Sequence, residues 1–374
     1  MDNPNDPRRA DTIAPLPYQA SFEVPEEDEA ETVEEMLKSL KHISTTTFED
    51  SGHAIRSVHA KSHGILRGRL TVLDSMPLAY AQGLFEHPGS YEVVARLSTT
   101  PGDVLDDKVS TPRGIAIKVV GVQGARVDGS ENDSTQDFVM VNGPVFATPT
   151  AKKFSGNLKL LAPTTDKAPG LKVALSAVLR GAEKALEAVG GESGLLKSLG
   201  GHPATNPLGE TYFSQAPILY GPYMAKVQLA PISPGLKALT DAPVDLHDTH
   251  DGLRNAIKAH FASQGGEWEL RVQLCTNLEK MPIEDSSVEW KEEDSPYVAV
   301  ARLTMEAQAG WSEALSKAVD DGMRFNPWHA LAAHRPIGSI MRVRKAAYAM
   351  SSSFRFERTG VQQVEPTDLN TLPL

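Results

Sequence analysis

The run YEVVARLST, residues 91–99, is the stretch on which the fold class turns. Side chains of a strand alternate, so Val94, Arg96 and Ser98 share one face while Val93, Ala95 and Leu97 share the other. One face is wholly apolar, and the first must therefore look at something polar. Runs of the same kind recur at 70–73, 114–120, 138–141, 225–229, 268–274 and 297–305, bounded by Gly and Pro. Short strands with long gaps between them read as a large antiparallel sheet or barrel with helices inserted, an α+β chain.

Helical spacing appears at 34–44, where Met36, Leu37, Leu40 and Ile43 recur every three or four residues. It appears again at 171–189, which stops at Gly190-Gly191, at 311–321, and after Gly338. The expected organisation is an N-terminal arm and short helix over residues 1–45, then one domain over 46–374. The acidic run from Glu26 to Glu35 reads as a solvated segment or first helical turn.

With 37 Lys and Arg against 48 Asp and Glu, the 374-residue chain carries a formal charge of −11, which argues against binding a phosphate backbone. Apolar residues make up 40% and charged residues 23%, the balance of a globular protein with a sizeable core. The single cysteine, Cys275, excludes an intramolecular disulfide framework and any multi-thiolate metal centre. No apolar run is long enough to span a bilayer, so the expected setting is cytoplasmic, with neither membrane nor nucleic acid as partner.

Generic motifs are missing: no phosphate-binding loop, no dinucleotide fingerprint, no nucleophile elbow. His59 and His63 stand four apart, but no acidic residue accompanies them and β-type sequence follows, which disfavours a zinc pair. On a helix after Gly338, residues advance by about 100° each, so Arg344, Tyr348 and Arg355 fall in a stripe of roughly 40°, with Arg342 nearly opposite. An arginine one turn before a tyrosine can donate to the phenol oxygen and favour its ionised form, and a phenolate can ligate iron. Likewise Ser98 could orient a histidine and Arg96 could hold a carboxylate. Taken singly, each pattern is also that of a solvated helix or strand face.

Read together, the runs Arg56-Ser57-Val58-His59-Ala60-Lys61, Arg96-Leu97-Ser98-Thr99, Pro112-Arg113-Gly114-Ile115-Ala116-Ile117-Lys118, Asn142-Gly143-Pro144-Val145-Phe146, Trp290 with Pro296, and Arg344-Lys345-Ala346-Ala347-Tyr348 with Arg355 resemble the haem-catalase superfamily. Their order from about residue 50 to 358 resembles its short, catalase-related branch. The resemblance implies a catalase-like antiparallel β-barrel with surrounding helices and a b-type haem buried between them, without the C-terminal helical domain of full-length catalases. It implies Tyr348 as the iron ligand, with Arg344 sustaining its ionised state. His59 would be the acid–base residue and Asn142 the amide beside it. Ser98 would accept from the histidine ring, Arg56, Arg96 and Arg355 would bind haem propionates, and Phe154 would pack near the haem. Thr111 and Thr100 stand where the family lines its approach channel with Asp and Val, which implies a less charged and wider entrance.

The activity implied is that of a haem-dependent peroxidase. It would cleave hydrogen peroxide and organic hydroperoxides through an oxoferryl intermediate, at the expense of a small-molecule electron donor. Three other readings stand beside it: a true catalase, a fatty-acid hydroperoxide isomerase of the allene oxide synthase kind, and a non-catalytic haem carrier. The family also implies a homo-oligomer.

Overall fold

The computed structural model describes residues 14–161, 202–363 and 365–373. The helix expected at 171–189 lies outside them. Nine strands form one antiparallel sheet: β1 Ser62–Val72, β2 Ser90–Thr99, β3 Arg113–Val120, β4 Thr135–Val141, β5 Tyr212–Phe213, β6 Ile218–Tyr220, β7 Tyr223–Pro231, β8 Gly266–Leu274 and β9 Val298–Met305. Their order is β5-β4-β3-β2-β1-β9-β8-β7-β6, and β5 also pairs with β7. That second pairing, Tyr212 opposite Leu229 and Phe213 opposite Gln228, closes eight strands into a barrel and leaves β6 as a hairpin on β7. Closure removes the free edges an open sheet of this size would present.

The apolar face read from residues 91–99 is the barrel interior. Val93, Ala95 and Leu97 pack there with Ile115, Ile117 and Val119 of β3 and Leu270 and Val272 of β8. Each such side chain taken fully out of water stabilises the fold by about 1.5–3 kcal/mol. The opposite face is polar as expected, yet it is not solvated: Arg96 and Ser98 are 2% and 4% exposed. Val94 on that face belongs to a second apolar cluster outside the barrel, with Ile65, Leu315, Val319, Leu369 and Leu372. A register shift between Ser62 and Gly64 bends β1 where it meets this outer layer.

Helices cover the outside. Helix α1 spans Glu29–Ser51, longer than the sequence suggests at both ends. Glu29 and Glu31 sit in its first turn, where the helix dipole favours them, and Gly52 ends it at φ 70° with its N–H bonded to Phe48 O. The β-branched run at 45–47 does not stop it, because Met36, Leu40, Ile43 and Thr47 are buried and the Thr47 hydroxyl donates to Ile43 O. The expected boundary between residues 45 and 46 thus falls inside α1. Helix α2 covers Ala151–Leu161, α3 covers Gly252–Phe261 and α4 covers Ser339–Thr359. The region read as helical at 311–321 is a single turn, Glu313–Ser316, whose N-cap Ser312 accepts from Leu315 N, continued by a wider π-type turn, Lys317–Asp321.

Arg342 lies on the side of α4 away from Tyr348, as the 100° spacing requires. It pairs with Glu29 at 2.7 Å and Glu284 at 2.8 Å, tying α1 and the loop before β9 to α4. Among the described residues no helix is long and apolar enough to cross a membrane.

Candidate functional site

A cavity of about 370 Å³ lies between the outer side of β2–β4, the loop before β1, and α4. His59, Arg56, Arg96, Ser98, Tyr348 and Arg355, six residues singled out from the sequence, all line it. They come from three separate parts of the chain: the loop before β1, β2 and α4.

His59 is held from several directions. Its backbone is left-handed at φ 54°, a conformation that costs a non-glycine residue roughly 1–2 kcal/mol. The bonds His59 N–H to Thr100 O at 2.9 Å and Ala60 N–H to Pro101 O at 3.0 Å hold that turn in place. The ring Nδ1 is 3.0 Å from Ser98 Oγ. Below the ring is Gly114, where any Cβ would stand 2.5 Å from His59 Cε1 and 2.7 Å from Nδ1. The imidazole therefore occupies the volume a side chain at 114 would need. Burial, and then the positive charges of Arg96, Arg344 and Arg56, lower its pKa to about 3, so the ring is neutral at ordinary pH. A neutral ring carrying its proton on Nδ1 would donate to Ser98 and keep the lone pair on Nε2.

The three arginines converge on one residue outside the sequence motifs, Asp320: Arg56 and Arg96 on its carboxylate, Arg56 and Arg355 on its main-chain oxygen. Asp320 Oδ1 accepts from Arg96 Nε at 2.6 Å and Arg56 Nη1 at 3.0 Å. Its main-chain oxygen accepts from Arg56 Nη1 at 2.9 Å and Arg355 Nη1 at 2.5 Å. Oδ2 accepts from the hydroxyls of Ser62 at 2.7 Å and Ser316 at 2.6 Å. Although burial alone would raise its pKa, Arg96 and Arg56 hold the carboxyl well below the usual carboxylate range. Arg355 Nε is buried with no hydrogen-bond partner. Ser316, four residues before Asp320 in the same helical stretch, is its nearest partner along the chain.

Three expected residues do not line the cavity. Asn142 follows β4 directly, its Oδ1 accepting from Arg113 N–H at 2.8 Å and its Nδ2 2.9 Å from His202 Nε2. Arg344 lies over the Phe146 ring, 5.6 Å from its centroid, and donates to Met341 Sδ at 3.7 Å. Among the described residues no hydrogen bond joins it to Tyr348. Phe154 meets Phe146 edge to face at 5.2 Å, so it supports the Arg344 platform from behind. Thr100 donates to Pro112 O at 2.8 Å, and the Thr111 hydroxyl is buried without a partner.

A second charged group backs the far wall. Lys118, fully buried, donates to both oxygens of Asp137 at 2.8 Å and to Glu365 Oε2 at 2.5 Å. His329, which lines the cavity, turns Nδ1 to Asp137 Oδ2 and Glu365 Oε1, both at 3.2 Å.

The fold so built is the catalase-like one: a closed antiparallel barrel with helices around it. Solved structures with that architecture include a fungal catalase, TM-score 0.57 at 16% identity, covering 88% of this chain and 68% of that one. A bacterial catalase aligns with TM-score 0.55 at 15% identity over 83% of this chain and 59% of its own. Catalase A from Saccharomyces cerevisiae aligns with TM-score 0.56 at 15% identity, covering 88% and 70%. No protein-family model matches the chain, and no curated protein does. At these identities the likeness is one of fold.

Proposed function

We propose that the protein is a haem-dependent enzyme that cleaves hydrogen peroxide and organic hydroperoxides, reduced in turn by a small-molecule donor. The observation that carries this reading is a buried histidine, held by Ser98 and packed against Gly114, sharing one cavity with a phenol and three arginines. The donor set fits a haem: the phenol oxygen of Tyr348 suits iron, and Arg56, Arg96 and Arg355 suit the two propionates. The orphaned Nε of Arg355 marks a donor still to be matched. When bound, the haem iron would supply the electrons that break the peroxide O–O bond.

The protein's part is proton handling. His59 Nε2 would take the proton from one peroxide oxygen and return it to the other, so that the departing oxygen leaves as water rather than hydroxide. The same burial that lowers the histidine pKa keeps it from being protonated beforehand. Asn142 is the amide proposed to meet the outer oxygen. It does not line the cavity, and its Nδ2 is turned to His202, so this role would require the amide to turn its second N–H inward. Arg344, one turn before Tyr348, has its guanidinium engaged by Phe146 and Met341.

The test uses purified protein reconstituted with hemin and compared with His59→Ala. Donor oxidation with hydrogen peroxide and an alkyl hydroperoxide, falling by about 10²–10⁴-fold in the variant while hemin stays bound, is expected. Fast oxygen release without donor oxidation would make it a catalase instead. An epoxide product from a fatty-acid hydroperoxide, formed without donor, would make it an isomerase. Hemin binding with no turnover in either form would leave a carrier.

A further inference from the structure

The arginine cluster holds one more charge-bearing group than a propionate site needs. Three guanidinia, Arg56, Arg96 and Arg355, line the cavity wall; the Asp320 carboxylate pairs with Arg56 and Arg96, while Arg355 donates to the Asp320 main-chain oxygen. Burial and mutual repulsion strain the cluster: Arg96 and Arg355 both lower the pKa of Arg56, and burial with Arg96 brings Arg355 down to about 10. The next charges outward are of opposite sign, Asp321 bonded to His53 at 2.9 Å and Arg324 3.4 Å from Glu365. They leave the balance of the inner group unchanged. Three cations against one anion leave two positive charges unmatched.

We infer that Asp320 is a charge-setting and positioning residue, which cancels one of the three guanidinia so that the cavity is neutralised by a ligand bearing two carboxylates. This rests on the haem reading above and goes beyond it, because it assigns a role to a residue that touches the arginines and not the ligand. The carboxylate is placed for that role by its other bonds. Ser62 and Ser316 donate to Oδ2, and Ser62 is itself fixed by Trp311 Nε1 at 3.2 Å, so Oδ1 stays aimed at Arg56 and Arg96. Without Asp320 the guanidinia would be buried against one another, and only a bound dicarboxylate would balance them.

The experiment compares thermal unfolding of the wild type and Asp320→Asn, each as apoprotein and with hemin bound, together with Soret titrations using hemin and hemin dimethyl ester. Apo Asp320→Asn is expected to melt about 5–10 °C below apo wild type. With hemin bound, less than half of that loss should remain. The preference for hemin over its dimethyl ester should widen on the order of tenfold in the variant, since the guanidinia then depend on the propionates alone. A variant that accumulates folded only when hemin is supplied has the same meaning. Equal losses of melting temperature in apo and holo forms, an unchanged ester preference, or failure to fold with hemin present would each overturn the inference. A wild type that takes up no hemin at all would instead remove the haem reading and this inference with it.

Discussion

Replacing Gly114 by Ala tests the site where the geometry is tightest. The new Cβ would stand 2.5 Å from His59 Cε1, 2.7 Å from Nδ1 and 3.2 Å from Ser98 Oγ. All three are side-chain atoms, so the backbone of β3 can stay while the imidazole gives way. Reaching ordinary contact at 3.4 Å from 2.5 Å requires a displacement of about 0.9 Å. The same movement pulls Nδ1 off Ser98, whose bond is 3.0 Å long. A catalytic group misplaced by about 1 Å costs on the order of a hundredfold in rate. Overpacking adds about 1–3 kcal/mol of destabilisation. Stopped-flow mixing of the hemin-loaded variant with hydrogen peroxide should therefore show cleavage slowed about a hundredfold, with hemin occupancy retained because the closest atoms to the new methyl belong to His59 and Ser98. Gly156→Ala on α2, where a Cβ meets nothing within 4 Å, is the matched control and should leave the rate unchanged. Cleavage by Gly114→Ala within about threefold of wild type would refute the view that His59 works from this position.

Protonation of His59 abolishes its base function, so peroxide cleavage should fall as pH drops through about 3, not through the ordinary histidine range. A flat profile from about pH 5 to about pH 8 is expected; an acid limb centred near pH 6.5 would show the ring to be an ordinary titrating histidine. In Lys118→Met the carboxylates of Asp137 and Glu365 lose their buried counter-charge, which should cost about 3–5 kcal/mol in urea unfolding. A loss under about 1 kcal/mol would mean that His329 and Arg324 neutralise the pair on their own.

Much of the barrel is legible because alternation is local. Val93, Ala95 and Leu97 announce an apolar face whatever they pack against, and the helix after Gly338 follows from its scarcity of β-branched residues. Closure is not legible, since it depends on Tyr212 and Phe213, two residues with no periodicity of their own. Helix α1 outruns its pattern because tertiary burial of Thr47 outweighs the weak helix propensity of a threonine run. At the site, Tyr348, Arg355, Arg96 and Ser98 are readable as faces of elements. Asp320 is not, because its arginine partners stand up to 264 residues away and an acidic residue at 320 reads as solvated. Nor does spacing show that Asn142 turns to His202, or that Arg344 spends its guanidinium on Phe146; both depend on contacts between segments far apart in the chain.

Haem binding in this cavity would rest on a bond from the phenol oxygen of Tyr348 to the iron. It is tested by adding hemin to wild-type and Tyr348→Phe apoprotein and recording absorbance spectra of the two side by side. Saturable uptake by the wild type, with a Soret and charge-transfer region that is lost or altered in Tyr348→Phe, is predicted. Identical spectra and affinities in the two proteins would contradict it.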